Sequence, residues 1–302
     1  MLSRSPWLAL LAFAATCFAA CAPISFGKQE LVLRHDAKAD VLDLLIVYDE
    51  IESSGAQHDE SFGFATRVSS GKREFMLYDW PMHFDLEGIA KQVAEEADRK
   101  DVHWRDWRRD TVKAFSSAKF NFSGYFADAN GRLGLFQGLH VADVSHWISL
   151  FERALYIAIE ASVAGGTFES DFALLDAHSR ELWIAMAKNK RSWLALQEGS
   201  LVVDLPLSGA DASGMIAKLL KQSRGNDELE SFVAGVASRL TELHIADEHV
   251  VLRLKLDSPT ITFAGKQTQS YVGTLARSLR ESGALPEALL SREKVLERFA
   301  KH

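Results

Sequence analysis

The alternation of apolar and polar positions changes period several times along this chain. Glu30–Arg34 and Val41–Tyr48 are short β-branched and aliphatic runs separated by the turn-rich HDAKAD, a pattern that predicts a strand hairpin. The polar stretch EIESSGAQHDESFG reads as a loop, and Glu74–Tyr78 as a further strand. From Leu86 the period lengthens: Ile89, Val93 and Ala97 recur at helical spacing, predicting an amphipathic helix over residues 86–100. Lys119–Phe126 and Leu133–Leu139 alternate on either side of Asp128-Ala-Asn-Gly131, a hairpin turn signal because Asn-Gly accepts positive φ. Val144, Trp147, Ile148, Phe151, Leu155 and Ile159 then trace a helical stripe, with Asp143 as the expected N-cap and Gly165-Gly166 as the stop.

The second half repeats this grammar. Leu182–Met186, Trp193–Leu196 and Ser200–Leu207 read as strands, with Leu201, Val203, Leu205 and Leu207 on one face. Helices are expected from Ser208 onward through Leu220 and over Glu228–Thr241, a strand over Val250–Leu256, and closing helices over Tyr271–Leu279 and Glu287–Phe299. The whole predicts an α+β fold of repeated antiparallel hairpins, each followed by a packed helix, with a helical C-terminus. A boundary after Gly166 divides it into units 30–166 and 167–302, either a distant duplication or one continuous domain.

The amino terminus stands apart. Arg4 precedes an uncharged apolar run, Trp7–Phe18, that is shorter than the ~20 residues a spanning helix needs and has the grammar of a secretory signal. Phe18-Ala-Ala-Cys21 closes it. FAAC resembles the lipobox of bacterial lipoproteins, with Phe18 where Leu is usual. The resemblance is confined to this leader and implies that residues 1–20 are removed and Cys21 is lipidated as the mature amino terminus. Residues 21–29 would then be a short tether. Cleavage after Ala19 or Ala22 would instead release a secreted product.

The only cysteines are Cys17 and Cys21, so removal of the leader and acylation leave no thiol for a disulfide, a thiolate metal site or a nucleophile. With 47% hydrophobic residues and six prolines the chain is built for a packed core. Its 41 acidic and 34 basic residues give a net charge of −7, against nucleic acid as a partner and against electrostatic adhesion to anionic lipid. The membrane would be reached through the N-terminal lipid.

Candidate chemistry is sparse. His58-Asp59-Glu60 has metal-ligand side chains, but neighbours in a loop seldom converge on one ion, and His35, Asp36 and Asp40 fit turn-forming roles. The tryptophan- and arginine-rich segments Asp79–His83 and His103–Asp110 are the better candidates. Arg beside Trp binds anions, stacks on sugar rings and is enriched at interfaces, so Trp80, Trp104, Arg105, Trp107 and Arg108 form a candidate partner surface; equally, arginine stems can cover tryptophan faces and pair with Asp106 and Asp110. The chain has no G-x-S-x-G elbow, Walker loop, dinucleotide fingerprint or H-E-x-x-H. No catalytic, cofactor or metal residue is assigned. The expectation is an exported envelope lipoprotein that binds another protein or an envelope glycan. The alternative is an anchored hydrolase or metal-dependent enzyme using His35, His58, His83 or His103. An enzyme requires at least two histidines and a carboxylate to converge in a concave site; a binding module requires an exposed apolar or aromatic patch.

Overall fold

The computed structural model describes residues 23–53, 58–77, 80–83, 85–95, 102–172, 175–197, 200–223, 237, 240–255, 260–264 and 271–301. The leader and Cys21 lie outside the described residues, as does most of the expected helix over 228–241.

The first hairpin forms as the alternation requires and runs further than expected. β2 (Lys28–Asp36) and β3 (Val41–Asp49) pair antiparallel along their full length. In the turn, Asp36 Oδ1 accepts the backbone N–H groups of Lys38 and Ala39 at 2.9 and 3.1 Å. β3 pairs with β8 (Leu133–Ala142), and β8 with β7 (Lys119–Ala127). The β7–β8 turn is held by Asp128 Oδ1, which accepts from Asn130 and Arg132 N–H, with Gly131 at φ 74°.

Two strands absent from the sequence expectation complete this sheet. β13 (Thr260–Ala264) pairs antiparallel with β2, and β14 (Leu290–Ser291) pairs parallel with β7. The order is β13-β2-β3-β8-β7-β14. Both faces are apolar. On one, Leu31, Ile46, Tyr48, Tyr125, Leu133 and Leu135 pack with α1 (His58–Ser69) and the late helix α8 (Thr274–Glu281). On the other, Leu45, Val47, Phe126 and Phe136 pack with α9 (Arg292–Lys301). Covering both faces takes helices from both halves of the chain, so the expected cut after Gly166 would separate strands that pair and layers that share a core.

α1 replaces the expected loop. Its polar opening, His58-Asp59-Glu60, is the first helical turn, where acidic groups complement the positive end of the helix; Ser61, Phe64, Ala65 and Val68 are buried, and Phe62 packs against the core at its margin. A narrow stripe in a polar context carries a weak periodic signal. The expected tether is also part of the fold: Ile24 and Phe26 are buried, and β1 (Ile24–Ser25) pairs with β4 (Glu52–Ser53). β5 (Glu74–Leu77) and β6 (Trp80–His83) form a separate hairpin, anchored where buried Tyr48 donates its hydroxyl to Met76 O at 2.7 Å and accepts from Met76 N. α2 (Leu86–Glu95) and α3 (Val102–Ser117) follow.

The second sheet has the order β11-β12-β10-β9, from β9 (Leu194–Gln197), β10 (Ser200–Leu205), β11 (Leu240–Ile245) and β12 (Val250–Lys255). Its core joins Val250 and Leu207 to α4 (Val144–Ala164), α5 (Phe168–Asp171), α6 (Ala177–Asn189) and α7 (Gly209–Ser223) through Leu155, Ile159, Phe172, Trp183 and Ala212. The expected strand Leu182–Met186 is the middle of α6. Its inward residues Ser179, Trp183, Met186 and Ala187 have helical spacing, and Asp176 caps it by accepting Ser179 N–H at 2.7 Å. Thr241, expected to end a helix, lies in β11. α4 departs from a simple stripe as well: Leu150, Ala154, Ile157 and Ala158 are buried alongside Leu155 and Ile159, while Phe151 is 57% exposed. A helix buried on most sides lies between packed elements. Asp143 stands at its N-cap position at φ 57° without a side-chain cap bond, and Asp40 from the β2–β3 turn does the capping, accepting from Ser145 N and Oγ at 3.1 and 3.0 Å.

Among the described residues no helix is long and apolar enough to cross a membrane.

Glu52 caps α8 across the fold. Its carboxylate accepts N–H groups from Val272, Gly273, Thr274 and Leu275 at 3.2, 2.6, 3.1 and 2.9 Å. Burial acts to raise its pKa, but these bonds and the one from Ser53 N–H outweigh it and hold the carboxyl below its ordinary 4.5. A depressed folded-state pKa contributes stability above the unfolded value that is lost as pH falls through the folded one. Glu52→Gln should therefore destabilise the protein by roughly 2 kcal/mol at neutral pH. The deficit should shrink at a second, acidic pH low enough to protonate the native carboxylate too. Urea unfolding of both proteins at the two pH values checks this.

Candidate functional site

The segment singled out for its tryptophans and arginines is the first half of α3. Trp104 and Trp107 are half-buried and meet edge to face with centroids 5.4 Å apart. Trp107 Nε1 donates to Leu150 O on α4 at 2.7 Å, and Phe115 packs edge to face on Trp147 at 4.4 Å. The charges are laced internally: Asp106 lies 3.8 Å from Arg105 and 3.3 Å from Arg109, and Asp110 accepts from Arg153 on α4 at 2.8 Å. Arg108 is half-buried on the same helix. Trp80 lies on β6 opposite Leu77 and belongs to a different element. The intramolecular reading of these residues thus accounts for Trp107 and the aspartates: Trp107 and Asp110 clamp α3 against α4, and Asp106 pairs within α3.

Beside the clamp, between α3, α4 and the end of α6, lies a cleft of about 660 Å³, within the usual ligand-site range. His103 and Asp106 line it from α3, Arg153, Tyr156 and Glu160 from α4, and Lys190 from just past α6. Lys190 occupies the left-handed region at φ 49°, just past α6, which turns its ammonium back over the Tyr156 ring (5.3 Å) and onto Glu160. Tyr156 donates its hydroxyl to Arg191 O at 2.6 Å. Burial, aided by the Glu152 carboxylate, pushes its pKa up to about 12, so it stays a neutral donor. Glu152 Oε1 accepts from Ser192 Oγ, Trp193 N and Leu194 N at 2.6, 2.9 and 3.0 Å, which fixes the strand following Lys190. The cleft therefore presents prepaired polar groups of nearly balanced charge (three carboxylates, one guanidinium, one ammonium and one imidazole) over a largely apolar surface that includes Ile157 and Tyr156.

The histidines of the enzymatic alternative are placed separately. His35 lies at the turn end of β2, half-buried, with Nδ1 lacking a hydrogen-bond partner among the described residues. His58 opens α1 beside β4, its Nδ1 2.7 Å from Ser53 Oγ; His83 is exposed on β6, and His103 is exposed on α3. Among the described residues no group of three or more His, Cys, Asp and Glu is arranged to hold a metal ion, and the His58-Asp59-Glu60 cluster is a helix start. Two histidines not singled out in the sequence do meet carboxylates: His140 Nδ1 lies 2.7 Å from Asp43, and His249 Nδ1 3.3 Å from Asp204, with Arg34 and Arg191 on the other oxygen of each. Burial would raise the Asp43 pKa, but hydrogen bonds from Arg34 and His140 hold it below the usual value. Arg153, Tyr156, Glu160 and Lys190 carry no local signature in the sequence; their common site exists only because α4 packs between α3 and the end of α6.

The chain matches no protein-family model, no curated protein and no solved structure.

Trp107→Phe should lower stability by about 1 kcal/mol by removing the indole hydrogen bond and part of the packing that join α3 to α4. Arg109→Ala, at an exposed position, should change it by less than ~0.5 kcal/mol. Chemical denaturation of the two variants separates these outcomes.

Proposed function

We propose that this chain is an exported envelope lipoprotein, anchored through acylated Cys21, whose folded body is a non-enzymatic binding module. The cleft between α3 and α4 is its binding site, and a neutral, hydroxyl-rich ligand such as an envelope glycan is what it takes. The observation that carries the reading is the cleft itself. Part of the Trp/Arg-rich helix forms its wall, its polar groups are prepositioned by mutual pairing, and its charge is close to balanced. Such a lining offers many paired donors and acceptors but no net field for a phosphate or a cation. Prepositioned groups lose little conformational freedom when a polar ligand replaces water.

The early start of the fold supports anchoring close to the bilayer. Only Ala22 and Pro23 separate Cys21 from buried Ile24. At ~3.5 Å per residue, Ile24 would lie within about 10 Å of the acylated cysteine. A diacyl or triacyl anchor holds where a single chain would not.

Two measurements test the two parts. Cys21→Ala should lose metabolic acyl label and shift from the membrane to the soluble fraction; unchanged membrane association would refute the anchor. Titration of purified protein with soluble, uncharged N-acetylglucosamine oligosaccharides should give saturable calorimetric binding. Asp106→Ala and Lys190→Ala should each weaken it about tenfold, or ~1.4 kcal/mol. Absence of binding by the native protein, or binding by both variants as tight as the native protein's, would refute the ligand assignment.

A further inference from the structure

β11 is the outer strand of the second sheet and, among the described residues, pairs only with β12. Thr241 through Ile245 are all exposed. Leu243 and Ile245 are 45% and 39% exposed, and they stand opposite Leu252 and Val250, which belong to or pack against the second core. Among the described residues, the apolar face of the sheet thus runs one strand beyond the helices that cover it. Natural edge strands are blunted by bulges, charge or proline. Here the register shift between Leu240 and Glu242 disrupts only the start of the strand, leaving Glu242–Ile245 regular.

The pattern on this edge is self-complementary. A two-fold axis normal to a sheet keeps each side chain on its own face, so an antiparallel contact between two copies can be centred only on a residue. Centred on Leu243, Glu242 of each copy stands opposite His244 of the other on the polar face. Leu243 meets its own counterpart on the apolar face, flanked by Ile245. Centring on His244 would instead oppose two imidazoles. Glu242 is already steadied by Arg253 Nε at 3.1 Å, and His244 lies edge to face with His249 at 6.1 Å, so both side chains are oriented within the sheet.

We infer that two copies of this chain associate through antiparallel pairing of β11 about a two-fold axis at Leu243, merging their second sheets into one. The inference is independent of the cleft and of the lipid anchor.

Residues directly opposite in an antiparallel pair have Cα atoms ~4.5–5.5 Å apart, within disulfide reach. In the full chain, Leu243→Cys should form a covalent dimer under mild oxidation at least about tenfold faster than the native chain (which controls for Cys17 and Cys21) and than Phe151→Cys, an exposed apolar position elsewhere. In detergent solution the native protein should sediment as a dimer and Leu243→Lys, with an unchanged circular dichroism spectrum, as a monomer. A monomeric native protein, or cross-linking at Leu243→Cys no faster than at Phe151→Cys, overturns the inference. Preferential cross-linking of His244→Cys overturns the register.

Discussion

The structure depends on buried carboxylates near the start of the chain that hold its end. Glu52, between β3 and α1, takes four backbone N–H groups at the N-terminus of α8. On the other face, Glu30 and Asp49, both buried, are bridged by Arg292 at the start of α9 and reached by Lys28. Burial pushes the Asp49 carboxyl up while Arg292 and Lys28 pull it down, and burial prevails. A buried carboxylate without a partner is costly, so each demands the C-terminal segment in place. The two helical layers over the first sheet are thereby specified by polar groups and stabilised by the apolar contacts of Leu275, Leu279, Val295 and Phe299.

α4 is the second organising element. Asp40, from a turn in the first sheet, satisfies its N-terminal amides, and Glu152 on its flank satisfies the amides that begin β9. One helix therefore takes its orientation from one sheet and gives it to the next. The cleft is a by-product of that geometry. α3 is clamped to α4 by Trp107 and Asp110, the end of α6 arrives through the Tyr156–Arg191 bond, and the space between is lined by residues of all three elements, Arg153 and Tyr156 of those contacts among them.

Much of this was legible in advance where a signal is local. The β2–β3 and β7–β8 hairpins follow from alternation and Asx turns, and α4 from its period. The loop expected over residues 50–63 gives way to helix from His58 because just four residues of α1 are buried, too few to dominate a polar context. Leu182–Met186 was misread in the opposite sense, since a short apolar run suits a strand or a buried helix until its flanking cap is weighed. Thr260–Ala264 was missed because its place is set by the open edge of β2, a distant partner. At the site, the sequence singled out α3 by composition, but Tyr156, Glu160 and Lys190 had no motif to mark them.

By itself, then, the sequence determined the α+β class, the two principal hairpins and the absence of cysteine beyond Cys21, because periodicity, turn chemistry and composition are properties of neighbouring residues. Only the tertiary structure decided that the chain's end closes the first sheet, that α4 is buried between elements, that His103 and Lys190 share a cleft and that β11 is left at an edge. Those outcomes turn on which distant groups must satisfy one another's hydrogen bonds and cover one another's apolar faces, and no local pattern records that.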